Sequence, residues 1–178
     1  MRQMNGRYSD EEWLKLIRGL KLIAFDFDGV FTDGKVWTST AGAELVVSSR
    51  KDTHRLPELK ARGIKMVVIS QEKNKVVEMR CKKMGIPCFY GVERKKDVLS
   101  SFVKDAGISY GQVAYVGDDI NDFECLELAC ARFVIADGSE KCKKIADYIT
   151  ERKGGDHAVR EICDYILNIF EIDRASDR

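Results

Sequence analysis

The sequence predicts an α/β fold: a mainly parallel, Rossmann-like sheet with helices on both faces and a small β-hairpin insertion. Short apolar runs alternate with segments whose apolar residues recur at helical spacing. Most of these runs end in glycine or polar residues, as buried parallel strands do where ligands bind at their carboxyl ends. The chain has 178 residues, of which 44% are hydrophobic, so one compact domain can bury a core of its own.

The first half of the chain begins with a capping-box pattern. Ser9 is followed by Glu12, which predicts a helix that ends near Gly19. A buried strand begins at Leu22 and leads into the acidic sequence Asp26-Phe27-Asp28-Gly29. The other elements expected in this half are a hairpin at 36–48, a helix at 56–62, a strand at 64–69 and a helix at 72–84.

In the second half, strands and helices continue to alternate. Pro87 predicts that the strand at 86–90 is short or peripheral. The expected elements that follow are helices at 95–106, 121–129, 139–146 and 158–170, and extended segments at 112–116, 133–135 and 148–149. We therefore divide the chain into an N-terminal helical extension (1–19), one domain (20–170) and a short charged, frayed tail (171–178).

Composition excludes several classes of function. The chain has 30 Lys plus Arg against 29 Asp plus Glu, a net charge of +1, whereas nucleic-acid binders are usually markedly basic. No apolar run is long enough for a membrane span, and the polar first ten residues do not resemble a secretion signal. Six cysteines without paired spacing and only two histidines argue against a zinc site. A cytoplasmic location with reduced thiols is the expectation.

Acidic, hydroxyl and ammonium side chains are concentrated just beyond the predicted strands. In a doubly wound sheet the loops at the strand carboxyl ends converge on one crevice, so these side chains should meet there. They are Asp26 and Asp28 after the first strand, Ser70 after the second, Lys95 or its neighbour Lys96 in the next loop, and Asp118, Asp119 and Asp122 after the strand at 112–116.

This set of side chains predicts a Mg²⁺ site that receives a phosphoryl group. Clustered carboxylates repel one another unless a cation or a proton intervenes, and hard oxygen ligands favour Mg²⁺. The ion and a lysine neutralise phosphate oxygens, while a serine hydroxyl donates a hydrogen bond. One carboxylate can attack phosphorus in line. A second, two residues along an extended strand, can protonate the leaving alkoxide and then activate water.

Four motifs in order resemble the haloacid dehalogenase superfamily of phosphohydrolases. Its DxDG motif is similar to Asp26-Phe27-Asp28-Gly29, and its strand-terminal Ser or Thr to Ser70. Lys95 occupies the position of the superfamily's lysine. The sequence Gly117-Asp118-Asp119-Ile120-Asn121-Asp122 resembles its GDxxND-like motif. A lone DxDG would be weak evidence, whereas four motifs at strand ends in the right order are specific.

Within this superfamily, the chain resembles the capless 3-deoxy-D-manno-octulosonate 8-phosphate (KDO 8-P) phosphatase-like group. That group includes nonulosonate 9-phosphate phosphatases and domains attached to sialic-acid cytidylyltransferases. The segments 26–34 and 116–122 carry the similarity, and 154–161 is similar to the group's GGxGxxRE sequence. The interval between Asp28 and Ser70 holds a hairpin but not a cap domain. The resemblance implies a homotetramer in which hairpins pack together and neighbouring subunits help to cover each site.

The resemblance also implies residue roles. Asp26 is the nucleophile and a Mg²⁺ ligand, Asp28 is the acid/base and offers its backbone carbonyl to the metal, and Asp118 is a further ligand. Ser70 and Lys95 hold phosphate. Asp119, Asn121 and Asp122 support the site, with Asp122 orienting Lys95 or a metal-bound water. Substrate contacts, or alternatively solvated surface positions, are assigned to Ser49, Arg50, Lys51, Asp52, Thr53 and Arg80.

Three departures from the group's pattern concern the substrate rather than the reaction. The RDGxG loop is replaced by Lys51-Asp52-Thr53-His54-Arg55, and Gln71-Glu72 stands where many octulosonate phosphatases have Gly-Arg. His157 replaces the third glycine of GGxGxxRE. The sequence around Gln71 is closer to the nonulosonate branch. The expected substrate is thus a small phosphorylated sugar acid, with KDO 8-phosphate and a nonulosonate 9-phosphate both open.

The same residue types also occur in two other classes of protein. A non-catalytic oligomerisation or regulatory domain would not need Asp26, Asp28, Ser70, Lys95 and Asp118 together. A phospho-signalling receiver also uses acids, Ser or Thr, and Lys, but its phosphorylated Asp lies on a later strand than its acid pair. DxDG on the first strand fits a phosphatase better.

Overall fold

The computed structural model describes residues 6–176, and side chains as far as residue 171. It confirms the predicted parallel α/β architecture. The strands are β1 (Leu22–Phe25), β2 (Thr32–Thr38), β3 (Glu44–Ser48), β4 (Lys65–Ile69), β5 (Cys88–Phe89), β6 (Val113–Gly117), β7 (Ala131–Val134) and β8 (Tyr148–Ile149). Six of them form one parallel sheet in the order β5-β4-β1-β6-β7-β8. This order places β1 in the centre, between β4 and β6.

Helices cover both faces of the sheet. They are α1 (Asp10–Arg18), α2 (Leu56–Ala61), α3 (Val76–Met84), α4 (Lys95–Asp105), α5 (Phe123–Leu128), α6 (Glu140–Lys143) and α7 (Ala158–Ser176). The core on one face contains buried side chains of α1, α2, α3 and α7. The core on the other face contains those of α4, α5 and α6. Successive residues of β1 alternate between these cores, which is why its whole apolar run is buried.

The N-terminal helix belongs to the core. The Ser9–Glu12 capping box is present, so the first amides of α1 have partners. Trp13 and Ile17 are fully buried in the core that α7 shares, and Trp13 Nε1 donates to Tyr165 Oη at 2.7 Å. The predicted extension over 1–19 therefore packs on the sheet from Asp10 onward, while its residues 1–5 lie outside the described part of the chain.

The hairpin β2–β3 stands apart from the main sheet. The two strands are antiparallel, and the pairing shifts register between Thr32 and Val36. Four apolar side chains of the hairpin are exposed: Val36, Trp37, Leu45 and Val47. The hairpin occupies the place that the sequence assigns to it, although β2 begins at Thr32, four residues before the predicted start.

Element ends account for most differences from the sequence prediction. Helix α3 begins at Val76 rather than at residue 72, because the Glu72 carboxylate accepts the amides of Lys73 and Asn74 in a turn. The expected helix at 121–129 begins as a 3₁₀ turn at Ile120–Asp122. Helix α7 continues to Ser176, past the predicted end at 170 and through most of the expected frayed tail. Residues 177–178 of that tail lie outside the described chain.

Within the described residues, no helix is both long enough and apolar enough to cross a bilayer.

Candidate active site

The carboxyl ends of the three central strands bring the predicted site residues together. Asp26 and Asp28 follow β1, Ser70 follows β4, and Asp118 follows β6. All four line one crevice of about 420 Å³. Because β4 and β6 both pair with β1 in parallel, residues distant in sequence reach the same edge of the sheet.

Lys95 is the buried cation behind this crevice. Its Nζ lies 2.7 Å from Asp26 Oδ1 and 2.7 Å from Asp122 Oδ1, and its side chain is fully buried. Burial opposes the charge on Lys95, but the two carboxylates outweigh it and raise the pKa to about 12. The neighbouring Lys96 is instead partly exposed and pairs with Glu124 at 3.3 Å. The geometry favours Lys95 over Lys96 for the phosphate-binding role.

Asp122 organises the loop after β6. Besides Lys95, its carboxylate accepts the Tyr115 hydroxyl at 2.7 Å and the amides of Asp118 and Asp119 at 2.9 and 3.3 Å. Asp122 and Tyr115 are both fully buried. Asp122 therefore holds Lys95 and shapes the backbone that carries Asp118, which agrees with the supporting role expected of it. Tyr115 is a contributor that the motif analysis missed.

The donor set fits a divalent metal ion. Carboxylate oxygens of Asp26, Asp118 and Asp122 lie within 4.8 Å of one another. Among the described atoms, Asp118 Oδ1 and Asp28 Oδ2 are buried without a hydrogen-bond partner, a costly state unless a cation compensates. Burial, and then the Asp122 charge, raise the pKa of Asp118 to about 7. A hard cation would reverse this effect and favour the charged carboxylate.

Gly29 allows Asp118 to reach this position. A Cβ atom on Gly29 would overlap the Asp118 carboxylate, and Gly29 has a φ of 84°, which favours glycine. The glycine of the DxDG motif therefore keeps the space between the first-strand loop and the loop after β6 open.

Asp28 lies at the mouth of the buried cluster. Its Oδ1 accepts the Thr32 hydroxyl at 3.3 Å, and Thr32 Oγ1 accepts the amides of Gly29 and Gly34, each at 3.2 Å. Burial raises the pKa of Asp28 despite the Thr32 hydrogen bond. Thr32 is a second residue that the motif analysis did not single out, although it holds the loop and the acid together.

Ser70, Asp119 and Asn121 complete the rim. Ser70 is buried, lines the crevice and accepts the Glu72 amide at 3.1 Å; α3 begins later, so Ser70 caps a turn rather than a helix. Asp119 Oδ1 accepts the Ile120 amide at 2.7 Å. Asn121 Nδ2 donates to Gln71 Oε1 at 3.2 Å, which links the loops after β6 and β4.

The six residues predicted to contact substrate lie elsewhere. Of the described crevice lining, none comes from Ser49, Arg50, Lys51, Thr53 or Arg80 of the same chain. Ser49 Oγ accepts the Lys51 amide, Thr53 Oγ1 donates to the Arg50 carbonyl, and Arg80 Nη2 lies 3.5 Å from the Ser49 carbonyl. Their predicted role stays a prediction, and on this geometry it requires a neighbouring subunit.

Asp52 is not among the described residues that line the crevice of its own chain, so its predicted substrate contact stays a prediction. Its side chain is fully buried, and Oδ1 accepts the Arg160 amide at 3.0 Å near the start of α7. Burial raises the pKa of Asp52, and the amide donors oppose that effect. The carboxylate is thus used to satisfy a helix N-terminus, where amides lack partners in their own helix.

The GGxGxxRE-like segment supports the first-strand loop. The Gly155 amide donates to the Val30 carbonyl at 3.1 Å, and a Cβ on Gly154 would overlap the Gly29 carbonyl. His157, which replaces the third glycine, has a φ of 74°. The replacement therefore keeps a left-handed backbone typical of glycine, at a cost on the order of 1 kcal/mol.

Comparisons with known proteins agree with this geometry. The haloacid dehalogenase-like hydrolase family matches residues 92–162. The KDO 8-P phosphatase KdsC of Escherichia coli K12 is 34% identical over 149 residues, covering 83% of this chain and 79% of that protein. A crystal structure of the Moraxella catarrhalis KDO 8-P phosphatase, in complex with magnesium, phosphate and KDO, superposes with a TM-score of 0.86 at 30% identity, covering 96% of this chain and all of that one.

A cobalt-bound KDO 8-P phosphatase (YrbI) structure from Haemophilus influenzae is also similar, with a TM-score of 0.82 at 28% identity over 86% of this chain and 91% of that one. Fold and site together define a haloacid dehalogenase-like hydrolase. More narrowly, the chain belongs to the family of KdsC-type phosphatases, and it is itself a phosphatase.

Proposed function

We propose that this enzyme hydrolyses a phosphorylated sugar acid in a Mg²⁺-dependent reaction that passes through an aspartyl-phosphate on Asp26. The observation that carries the proposal is the position of Asp26. Its carboxylate is paired with Lys95 at 2.7 Å, lies in the Asp118–Asp122 cluster, and opens onto the crevice. The proposed nucleophile, the lysine cation and the candidate metal ligands therefore surround one position in the crevice, where a phosphoryl group could bind.

In the first step Asp26 attacks phosphorus and the bond to the sugar oxygen breaks. Lys95 neutralises charge beside the nucleophile, and Ser70 donates a hydrogen bond to a phosphate oxygen. Asp26, Asp118 and the Asp28 backbone carbonyl would hold Mg²⁺, which would supply positive charge near the phosphate oxygens. These groups are fixed by the sheet before substrate binds, so little reorganisation is needed.

Asp28 serves both steps as acid and base. Its raised pKa favours the protonated form that gives its proton to the leaving alkoxide. The resulting carboxylate then takes a proton from water, which attacks the phosphorus of the aspartyl-phosphate and releases inorganic phosphate. The Thr32 hydroxyl, 3.3 Å from Asp28 Oδ1, orients the acid for this exchange.

Two observations bear on which sugar acid is the substrate. Relatives of about one-third identity are KDO 8-P phosphatases, which favours an octulosonate phosphate. Glu72 lies on the crevice wall where many octulosonate phosphatases have arginine, which favours a nonulosonate phosphate. We therefore propose a sugar-acid phosphate as the substrate. Direct comparison of an octulosonate and a nonulosonate phosphate decides which of the two is hydrolysed.

We also infer a homotetramer that forms through the hairpins. Trp37, Leu45 and Val47 are 71%, 68% and 60% exposed in the single chain, more apolar surface than one small hairpin normally leaves in water. None of the described residues that line the crevice is lysine or arginine. In the proposed tetramer, cationic side chains of a neighbouring subunit bind the carboxylate of the sugar acid, and Arg50 and Lys51 are the candidates.

The test is phosphate release by the purified enzyme with KDO 8-phosphate and a nonulosonate 9-phosphate, each with Mg²⁺ and with EDTA. We expect turnover of at least one, its loss on chelation, and its loss in Asp26→Asn. Lys96→Met, next to the site lysine but outside the crevice, is the matched control and should stay active. Absence of phosphate release from both substrates would refute the proposed substrate class.

A further inference from the structure

The outer wall of the crevice is formed by the hairpin, and a side-chain hydrogen bond joins its far end to the domain. Asn74 Nδ2 donates to Glu44 Oε2 at 2.9 Å. Glu44 is the first residue of β3 and pairs with Thr38, next to the turn that connects the two strands. The bond therefore acts at the end of the hairpin farthest from its base at Thr32.

Asn74 is held firmly on its own side of the bond. Its side-chain Oδ1 accepts the Val76 amide at 3.0 Å at the start of α3. Its backbone amide donates to Glu72 Oε1 at 3.0 Å. With the oxygen used in this way, the Asn74 side chain can present only its NH₂ group to the hairpin. The orientation of the Asn74 amide is thus determined by the hydrogen bonds on both sides.

The two partners stand on opposite sides of the same space. Glu44 and Val46 line the crevice from the hairpin, while Asn74 and Val77 line it from the loop and helix that follow β4. On the proposed function, phosphate binds beside Asp26 and Ser70, so a leaving group with a long carbon chain would extend outward between these two sides.

We propose that the Asn74–Glu44 hydrogen bond positions the hairpin as the outer wall of the crevice and thereby sets specificity for phosphate esters long enough to reach that wall. Asn74 and Glu44 are positioning residues in this proposal. It rests on the proposed function only in taking a sugar-acid phosphate as such an ester.

The chain offers a reciprocal exchange as the test. Asn74→Asp keeps the oxygen that accepts the Val76 amide but replaces the donor with a carboxylate that repels Glu44. Glu44→Gln keeps an oxygen that can still accept from Asn74. In the double variant Asn74→Asp/Glu44→Gln the hydrogen bond can form again with donor and acceptor exchanged.

We expect Asn74→Asp to raise KM for the sugar-acid phosphate about 5- to 10-fold, the effect of one lost hydrogen bond. Its kcat should stay within about twofold. Relative to p-nitrophenyl phosphate, kcat/KM for the sugar-acid phosphate should fall by a similar factor. The double variant should recover most of both losses, and Glu44→Gln alone, which keeps an acceptor for Asn74, should leave amide exchange of the hairpin at the wild-type level.

Hydrogen–deuterium exchange of the hairpin amides provides a readout that needs no substrate. Exchange across 32–48 should accelerate in Asn74→Asp and slow again in the double variant, with exchange in β1 and β6 unchanged. If sugar-acid phosphates are not substrates, the proposed function fails and the exchange comparison still decides this inference. Unchanged exchange and KM in Asn74→Asp would overturn it, and so would failure of Glu44→Gln to rescue, since Asn74 would then act on substrate directly.

Discussion

At the residue scale, the site concentrates negative charge that Lys95 only partly neutralises. Asp26, Asp118 and Asp122 bring carboxylate oxygens within 4.8 Å of one another, and Lys95 pairs with only two of these acids. Burial, and then the negative charge of Asp122, raise the pKa of Asp118 to about 7. Metal binding and protonation are therefore alternative ways to relieve the same repulsion.

This competition predicts how the metal-free enzyme responds to pH. Between the ordinary carboxyl pKa and about 7, folded Asp118 holds a proton that the unfolded chain releases. Because the folded state binds more protons, its stability falls as pH rises through this range. Asp118→Asn lacks the charge, so in EDTA at pH 8 we expect it to be more stable than the wild type by about 1 to 3 kcal/mol, measured by urea unfolding.

With magnesium in place of EDTA, the wild type should be more stable than Asp118→Asn. The wild type gains stability by binding the ion, while Asp118→Asn, which lacks a ligand, gains little. At pH 5 without metal the two proteins should differ less than at pH 8. A variant that is less stable than the wild type in EDTA at pH 8 would contradict this account of the site.

Sequence reasoning located the acids and the lysine because strand ends in a parallel sheet converge whatever the details of packing. It missed Thr32 and Tyr115, whose hydroxyls bind Asp28 and Asp122. Each lies in a stretch that apolar burial alone explains, so nothing in the local pattern marks its hydroxyl. Only the family resemblance of its loop places Asp52 near substrate, and nothing in the local sequence indicates that its carboxylate accepts the Arg160 amide, 108 residues away.

At the scale of elements, the loop after β1 depends on contact with the segment before α7. Gly154 lies directly against the Gly29 carbonyl, and Gly155 donates to Val30. The sequence identified this glycine pair but left open whether it was only a flexible turn. The structure shows that it packs on the backbone that carries Asp28.

Gly154→Ala should therefore destabilise the enzyme and impair catalysis. The added methyl group meets backbone atoms that can move only with the loop, so we expect a loss of about 1 to 3 kcal/mol, as for overpacked cores, and a lower kcat. Thermal unfolding and steady-state kinetics measure both. Gly19→Ala is the matched control, because its methyl group would lie at an ordinary contact distance of 3.4 Å from the Leu16 carbonyl oxygen. Equal effects of the two substitutions would argue against a supporting role for Gly154.

Element boundaries were harder to predict than element order. The apolar periodicity located the described helices and strands, but α3 starts four residues late because the Glu72 and Asn74 side chains take over the backbone amides before it. Such side-chain competition is local and depends on rotamers that composition does not specify. The turn before α3 also contains Asn74, whose side chain donates a hydrogen bond to Glu44 of the hairpin.

At the scale of the whole molecule, one chain brings the predicted catalytic residues together, but the described lining of its crevice includes no lysine or arginine. Asp26, Asp28 and Ser70 converge at one end of the crevice with Lys95 buried behind Asp26, whereas its outer part is lined by Glu44 and Glu72. A sugar acid brings its own carboxylate to that outer part. Assembly of several chains would place cations there and would cover the exposed apolar face of the hairpin.

Disrupting that face should therefore separate assembly from chemistry. We expect Trp37→Glu, at a side chain 71% exposed in the single chain, to convert the proposed tetramer to smaller species in light scattering coupled to size exclusion. Because the active-site acids lie elsewhere, KM for the sugar-acid phosphate should rise more than kcat falls. Tyr110→Glu, at a partly exposed aromatic outside the hairpin, should leave the assembly intact. If the Trp37→Glu protein keeps the wild-type mass and KM, the exposed apolar face of the hairpin does not mediate assembly.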